Sequence, residues 1–260
     1  MNGREPASDA AGRVSTRREG HVLVVSMQRE PKRNAVNRAL ADAIDEALNT
    51  LDDDTDLWAG VLTGTSTVFS AGSDLTSGGD YHTERGGEYG IVRRQRRKPL
   101  IAAVEGPALG GGFEIVLSCD LVVASTSARF GLPEVRIGVI PTCGALFRAP
   151  RALPLNLARE MILTGEPIDA ARAHAAGFVN VLAEPGEAVG RAVQLANRMC
   201  AGSPLSVQAC LAAVNSLVGG DEETGWAATA RAMGSLQGTH DGGEGIRAFF
   251  EKRPPVWTGR

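Results

Sequence analysis

Two glutamates in apolar, glycine-rich surroundings are the residues of this sequence best suited to acid–base chemistry. Glu114 follows three consecutive glycines at 110–112, and Glu134 ends the run that begins at Phe130. A carboxyl group in an apolar pocket beside a second carboxylate acquires the raised pKa that proton transfer near neutral pH requires. Taken singly, Glu114 is also explained as a solvated helix residue and Glu134 as a helix-capping or ion-paired residue after Pro133.

The three glycines before Glu114 indicate a place where the backbone can approach a ligand. Glycine allows a close approach, and the first N–H groups of a helix have no acceptor inside that helix. A tight turn with close packing of helix against strand explains the same glycines equally well. A second segment of small residues, Phe69-Ser70-Ala71-Gly72-Ser73-Asp74-Leu75, precedes them and favours the functional interpretation.

The composition predicts a globular protein and argues against several classes of partner. The chain has 260 residues, 43% of them hydrophobic, and a formal net charge of −3. It can therefore build a large core, and it has no broad basic surface for nucleic acid. No apolar run reaches the roughly 18 residues of a membrane span. The four cysteines form no CxxC or zinc-like pattern, so we expect reduced thiols, no metal site and a cytoplasmic protein.

Strands and helices alternate along the first half of the chain. The apolar pattern predicts strands at 22–27, 59–64, 100–104 and 121–125, and helices at about 38–51 and 111–119. Such alternation is typical of an α/β fold. Beyond residue 141 the pattern becomes helical, at 158–163, 169–176, 186–199, 203–217 and 222–236, with one short strand at 177–182 and a break at 219–221.

Three stretches near the candidate site have a weaker pattern. The glycine-rich segment from Thr76 to Gly90 is predicted to be a mobile loop, and Asp74 before it is expected to cap a helix. The basic run from Arg93 to Lys98 is predicted to be a solvated helix face. At the level of domains, we expect a flexible tail at 1–16 that is neither a signal nor a transit peptide. A core at 17–200 and a helical region at 201–260 follow it.

Four segments together resemble the crotonase superfamily, the enoyl-CoA hydratase/isomerase family, over residues 17–260. They are Pro31-Lys32-Arg33-Asn34-Ala35, the segment from Phe69 to Leu75, the segment from Gly106 to Asp120, and the segment from Phe130 to Pro141. The resemblance implies an α/β spiral of repeated ββα units with a C-terminal helical trimerisation region. It also implies an acyl-CoA thioester as substrate, no separate cofactor, and a homotrimer or a dimer of trimers. Within the family, residues 251–260 are most similar to the carnitinyl-CoA dehydratase branch.

The resemblance also assigns catalytic roles. The backbone N–H groups of Ser73 and Gly111 are expected to stabilise the negative charge on the thioester oxygen. A side chain at position 111 is expected to crowd the substrate, whereas position 73 needs only its backbone. Glu114 is aligned with the residue that activates water, and Glu134 with the one that exchanges a proton at Cα.

The remaining expected contacts are with the CoA thioester. Phe249 and Lys252 can come from a neighbouring subunit, and each basic residue is also explained as an ordinary surface charge. The full expected set of binding residues is Lys32, Arg33, Ala35, Ser70, Ala71, Ser73, Asp74, Leu75, Gly110, Gly111, Pro133, Thr142, Phe249 and Lys252.

These expectations favour hydration or dehydration of an enoyl-CoA thioester, because several other branches of the family keep only one of the two glutamates. One departure concerns the water. Hydratases of the family have a glycine aligned with Thr142, whose side chain narrows the space there. Isomerisation of a double bond by Glu134 is therefore the main alternative, and a non-catalytic acyl-CoA-binding protein is a third.

Overall fold

The computed structural model of the chain describes residues 13–79, 81–218 and 222–259. Residues 1–12 of the tail predicted at 1–16, and the predicted helix break at 219–221, lie outside the described residues. Among the described residues, no helix is long and apolar enough to cross a membrane.

The strands of the described chain fall into one large sheet and two small ones. They are β1 (Arg13–Glu19), β2 (Val22–Gln28), β3 (Ala59–Thr63), β4 (His82–Thr83), β5 (Gly87–Glu88), β6 (Leu100–Val104), β7 (Pro107–Leu109), β8 (Leu121–Ser125), β9 (Arg129–Gly131), β10 (Ile168–Asp169) and β11 (Val181–Ala183).

Helices cover the sheets and dominate the second half of the chain. They are α1 (Arg38–Asp53), α2 (Gly111–Leu117), α3 (Ala145–Ala152), α4 (Leu155–Thr164), α5 (Ala170–Ala175), α6 (Ala188–Cys200), α7 (Pro204–Val218), α8 (Glu222–Leu236) and α9 (His240–Glu251). Two short 3₁₀ turns, Glu30–Lys32 and Pro133–Ile137, lie beside the candidate site.

The large sheet has the order β1-β2-β3-β6-β8-β11, and only the β1–β2 pair is antiparallel. The strands β3 and β6 are buried along their whole length, as expected for parallel strands that are covered on both faces. Helix α1 covers one face with Leu40, Ile44, Leu48 and Leu51, and α6 covers the other with a row of alanines.

The chain passes repeatedly from the large sheet to a small one and then into a helix. Strand β6 leads to β7 of the sheet β10-β9-β7 and then to α2, and β8 leads in the same way to β9. This repetition confirms the predicted α/β spiral of ββα units, with a helical C-terminal region. It brings the ends of β7 and β9 side by side, with Leu109 paired to Gly131.

Two predictions of local structure are wrong. The basic run at 93–98 is not a solvated helix face. Arg94 is buried and ion-paired with Asp45 and Asp52, while buried Lys98 donates to carbonyl groups at the end of α1. The segment 76–90 was predicted to be a mobile loop, but its described residues include the β4–β5 hairpin and several buried positions.

The predicted boundary of the tail also needs adjustment. Residues 13–16, which were assigned to the tail, form the first half of β1 and pair with β2. The division of the chain at residue 200 stays a prediction.

Candidate active site

Glu114 lies in the first turn of α2 and is only 2% exposed. Its Oε1 accepts hydrogen bonds from the backbone N–H groups of Cys143, at 2.7 Å, and Ala145, at 3.1 Å. Burial nevertheless prevails over these two donors and raises the pKa of Glu114 to about 7. The carboxyl group is therefore held in place while it remains able to exchange a proton near neutral pH.

Glu134 lies in the 3₁₀ turn that follows β9. Its Oε1 would be 3.3 Å from a Cβ placed on Gly110, so it reaches the glycine turn before α2. Its Oε2 is buried and has no hydrogen-bond partner within the described part of the chain. Burial first, and the charge of Glu114 second, raise the pKa of Glu134 to about 8.

Gly110 joins the two glutamates structurally. Its N–H donates to the carbonyl of Gly131 at 2.9 Å, which fixes the start of α2 against the end of β9. Its φ of +56° lies in the region that glycine adopts without steric cost. Gly110 therefore sets the distance between helix α2, which carries Glu114, and the 3₁₀ turn, which carries Glu134.

The predicted oxyanion donors lie on adjacent segments. A Cβ placed on Gly72 would be 2.8 Å from the backbone nitrogen of Gly111, so the chain at 72–73 runs directly beside the start of α2. The N–H groups of Ser73 and Gly111 have no acceptor among the described residues. The structure thus brings together two unpaired backbone donors and two glutamates with raised pKa values.

Two of the expected CoA-binding residues line a cleft next to β7. Ala71 and Arg33 line the cleft, which has a volume of about 320 Å³, and Ala71 N–H donates to the Arg33 carbonyl at 2.9 Å. Lys32 is exposed and Ala35 is half-buried. Ser70 is buried, and its hydroxyl donates to the carbonyl of Asn34. Glu30 also lines the cleft, with its carboxylate hydrogen-bonded to Thr67.

Asp74 was predicted to cap a helix, and this prediction is wrong, because no helix follows it in residues 75–79. Its carboxylate forms a buried ion pair with Arg29 at 2.7 Å and accepts from the N–H and hydroxyl of Thr76. Leu75 is partly exposed. Asp74 therefore holds the segment that contains Ser73 in place through its side chain.

The other expected residues are spread over the site and the C-terminal helices. Pro133 starts the 3₁₀ turn of Glu134. Thr142 precedes the N–H of Cys143 that binds Glu114, and its hydroxyl contacts the Cys143 thiol. Phe249 and Lys252 are exposed at the end of α9, which packs against the turn of Glu134.

Tyr89 is the site residue that the sequence did not predict. It is 2% exposed, and its hydroxyl is hydrogen-bonded to that of Ser73 at 2.7 Å. A Cβ on Gly111 would collide with this hydroxyl. A side chain at position 111 would therefore meet Tyr89, and the expected crowding of the substrate at this position stays a prediction. The only sequence signal was an aromatic residue in a segment flanked by glycines.

Comparisons with known proteins show the family of the chain. Residues 17–260 match the enoyl-CoA hydratase/isomerase family. A short-chain-enoyl-CoA hydratase of Clostridium acetobutylicum is 36% identical over 92% of this chain and 95% of that protein. A 2,3-dehydroadipyl-CoA hydratase of Escherichia coli is 37% identical over 94% of this chain and 97% of that protein.

A solved structure supports the same conclusion. The carnitinyl-CoA hydratase from Mycobacterium avium superposes with a TM-score of 0.90 at 40% identity, covering 96% of this chain and 99% of that one. The family match spans nearly the whole chain, and the fold agrees with the resemblance found in the sequence. The chain therefore belongs to the enoyl-CoA hydratase/isomerase family, the crotonase superfamily.

Proposed function

We propose that this protein is an enoyl-CoA hydratase, which reversibly adds water across the C2–C3 double bond of an enoyl-CoA thioester. One observation carries the proposal: buried Glu114 and half-buried Glu134, with pKa values of about 7 and about 8, lie beside two backbone N–H groups that have no acceptor in the described part of the chain. Hydration and dehydration require an acid and a base whose pKa values lie near neutral pH. The curated hydratases named above support the same reaction.

The backbone donors act on the thioester oxygen. As water adds at C3, the electrons of the double bond move towards the thioester and an enolate forms. The N–H groups of Ser73 and Gly111 would stabilise its oxygen, and each such donor is worth about 3–4 kcal/mol in comparable sites. Both donors are fixed by surrounding backbone contacts, so little reorganisation is needed when the charge develops.

The two glutamates exchange the protons. Ionised Glu114 takes a proton from water as the C3–O bond forms, and protonated Glu134 gives its proton to C2 as the enolate collapses. The pKa order, about 7 for Glu114 and about 8 for Glu134, favours this distribution of charge between those values. Exchange with solvent then restores the starting state, and dehydration follows the reverse path.

The CoA part of the substrate would bind in the cleft at Arg33 and Ala71. Arg33 is exposed there and can pair with a phosphate group. Lys32 and, from a neighbouring subunit, Phe249 and Lys252 would add contacts to the nucleotide. The reaction needs no further cofactor, because the glutamates and backbone donors supply the proton transfers and the charge stabilisation.

We further propose a cytoplasmic homotrimer or dimer of trimers. Large apolar side chains are exposed on the C-terminal helices, among them Leu205, Leu217 and Phe250, as expected for surfaces that pack against other subunits. Light scattering on the purified protein tests the assembly, and a monomer would contradict it.

Loss of the enoyl absorbance of crotonyl-CoA tests the reaction. We expect wild-type protein to hydrate crotonyl-CoA, and Glu114→Gln and Glu134→Gln to lose at least about a hundredfold in kcat. Glu184→Gln, an exposed control, should match wild type. Conversion of a β,γ-unsaturated thioester without hydration would indicate an isomerase. Calorimetric binding without turnover of any thioester would indicate a non-catalytic protein.

A further inference from the structure

Tyr89 adopts a backbone conformation that is unusual for a large aromatic residue. Its φ is +58°, in the left-handed region that residues other than glycine enter at a cost in free energy. The conformation is fixed on both sides. Tyr89 N–H donates to the Tyr81 carbonyl at 2.9 Å, and Gly90 packs so closely on α1 that a Cβ would collide with the Ala41 carbonyl. Strained residues of this kind are concentrated at functional sites.

The strained backbone directs the phenol into the catalytic site. The hydroxyl bonds to Ser73, which belongs to one oxyanion segment, and lies against Gly111, which belongs to the other. The ring of Tyr81 packs on that of Tyr89 with centroids 4.7 Å apart. Burial first, and then the charges of Cys143 and Glu114, raise the pKa of Tyr89, so its hydroxyl stays protonated.

The segment that carries Tyr89 is anchored to α1. Buried Arg94 is ion-paired with Asp45 and Asp52 at one end, and the Thr83 hydroxyl donates to Asp45 at the other. A backbone movement that withdraws the phenol would have to break these contacts. The space beside Gly111 is therefore fixed by the fold and is occupied by the phenol of Tyr89.

We propose that Tyr89 is a specificity-determining residue, whose ring closes the acyl site beside Gly111 so that short enoyl groups are favoured over long ones. The inference rests on the proposed hydratase function. The selecting feature is the volume of the Tyr89 ring, because the ring fills the space beside Gly111. The Tyr89 hydroxyl bonds to the side chain of Ser73, and the proposed reaction needs only the backbone of Ser73.

Two substitutions separate the ring from the hydroxyl. Tyr89→Asn removes the ring and keeps the backbone, because asparagine enters the left-handed region readily. Tyr89→Phe removes only the hydroxyl. Glu84→Ala, in the turn between β4 and β5 and exposed, is the matched control for changes in the segment. Circular dichroism and melting temperature confirm folding, and Tyr89→Gly replaces the asparagine variant if that variant does not fold.

The readout is the ratio of kcat/KM for octenoyl-CoA to kcat/KM for crotonyl-CoA. We expect Tyr89→Asn to raise this ratio about tenfold or more, and Tyr89→Phe and Glu84→Ala to leave it within about twofold. An unchanged ratio in Tyr89→Asn, or an equal rise in Tyr89→Phe, would overturn the inference. Failure of the proposed function is a different result, in which wild-type protein hydrates neither thioester.

Discussion

The charge of Glu114 is one of the causes that raise the pKa of Glu134. Residues from two different ββα units therefore share one electrostatic environment, created where the N–H of Gly110 joins the start of α2 to the end of β9. Because the two carboxyl groups interact, their protons leave in two steps that belong to the pair. This coupling gives the site its expected dependence on pH.

The first prediction concerns the pH profile of hydration. The kcat/KM for crotonyl-CoA should be bell-shaped, rising as Glu114 ionises near pH 7 and falling as Glu134 ionises near pH 8. Steady-state rates between about pH 5 and pH 10 measure this. A rate that stays constant across the range would show that these carboxyl groups do not limit the reaction.

The second prediction concerns stability. The folded-state pKa of Glu134, about 8, lies above the ordinary value of a glutamate. Between these values the folded protein binds more protons than the unfolded chain, so the free energy of unfolding falls as the pH rises. Glu134→Gln removes this cost. The difference in free energy of unfolding between the variant and wild type should grow in favour of the variant by at least about 1 kcal/mol from pH 5 to pH 8. Urea unfolding at the two pH values measures it.

The exposed Glu184 provides the comparison for this experiment. Glu184→Gln should change the free energy of unfolding by the same amount at pH 5 and at pH 8, because this carboxyl group is exposed to solvent in the folded protein. A Glu134→Gln variant with the same behaviour would mean that Glu134 is solvated in solution.

The third prediction tests the contact between Gly111 and Tyr89. Gly111→Ala keeps the backbone N–H but introduces a Cβ that collides with the tyrosine hydroxyl. We expect kcat/KM for crotonyl-CoA to fall by about tenfold or more. Combining Gly111→Ala with Tyr89→Asn should restore part of the loss. Additive losses in the double variant would show that the alanine harms the site in another way.

The fourth prediction concerns the ion pair between Asp74 and Arg29, in which both side chains are buried. Asp74→Asn removes the carboxylate charge that lies 2.7 Å from the buried Arg29 guanidinium, and should lower the free energy of unfolding by about 3–5 kcal/mol. The exposed pair of Asp42 and Arg38 is the matched control, and Asp42→Asn should cost less than about 1 kcal/mol. Equal effects of the two substitutions would contradict the role assigned to Asp74.

Strands β2, β3, β6 and β8 of the large sheet could be predicted because they are apolar runs, whereas the polar edge strand β1 could not. Strands at 100–104 and 121–125 have the predicted bounds, and α1 extends the predicted helix by two residues. The three-stranded sheet was not predicted. Its strands β7, β9 and β10 are two or three residues long, too short for any periodicity to emerge.

The candidate site could be predicted where chemistry and motif coincide, as they do at Glu114, Glu134, Ser73 and Gly111. Tyr89 could not, because its position depends on a left-handed backbone and on packing of Gly90 against α1, which no local pattern encodes. The burial of Arg94 was missed for a related reason. A run of basic residues normally indicates a solvent-exposed segment. The partners of Arg94, Asp45 and Asp52, lie on α1, far from Arg94 in the sequence.

Mass spectrometry of the product formed from crotonyl-CoA in water enriched in heavy oxygen tests the central claim most directly. The account predicts that wild-type protein yields a 3-hydroxy thioester with one labelled oxygen, and that Glu114→Gln and Glu134→Gln yield almost none in the same time. An unlabelled or unchanged thioester from the wild-type protein, or equal labelling by all three proteins, would contradict it.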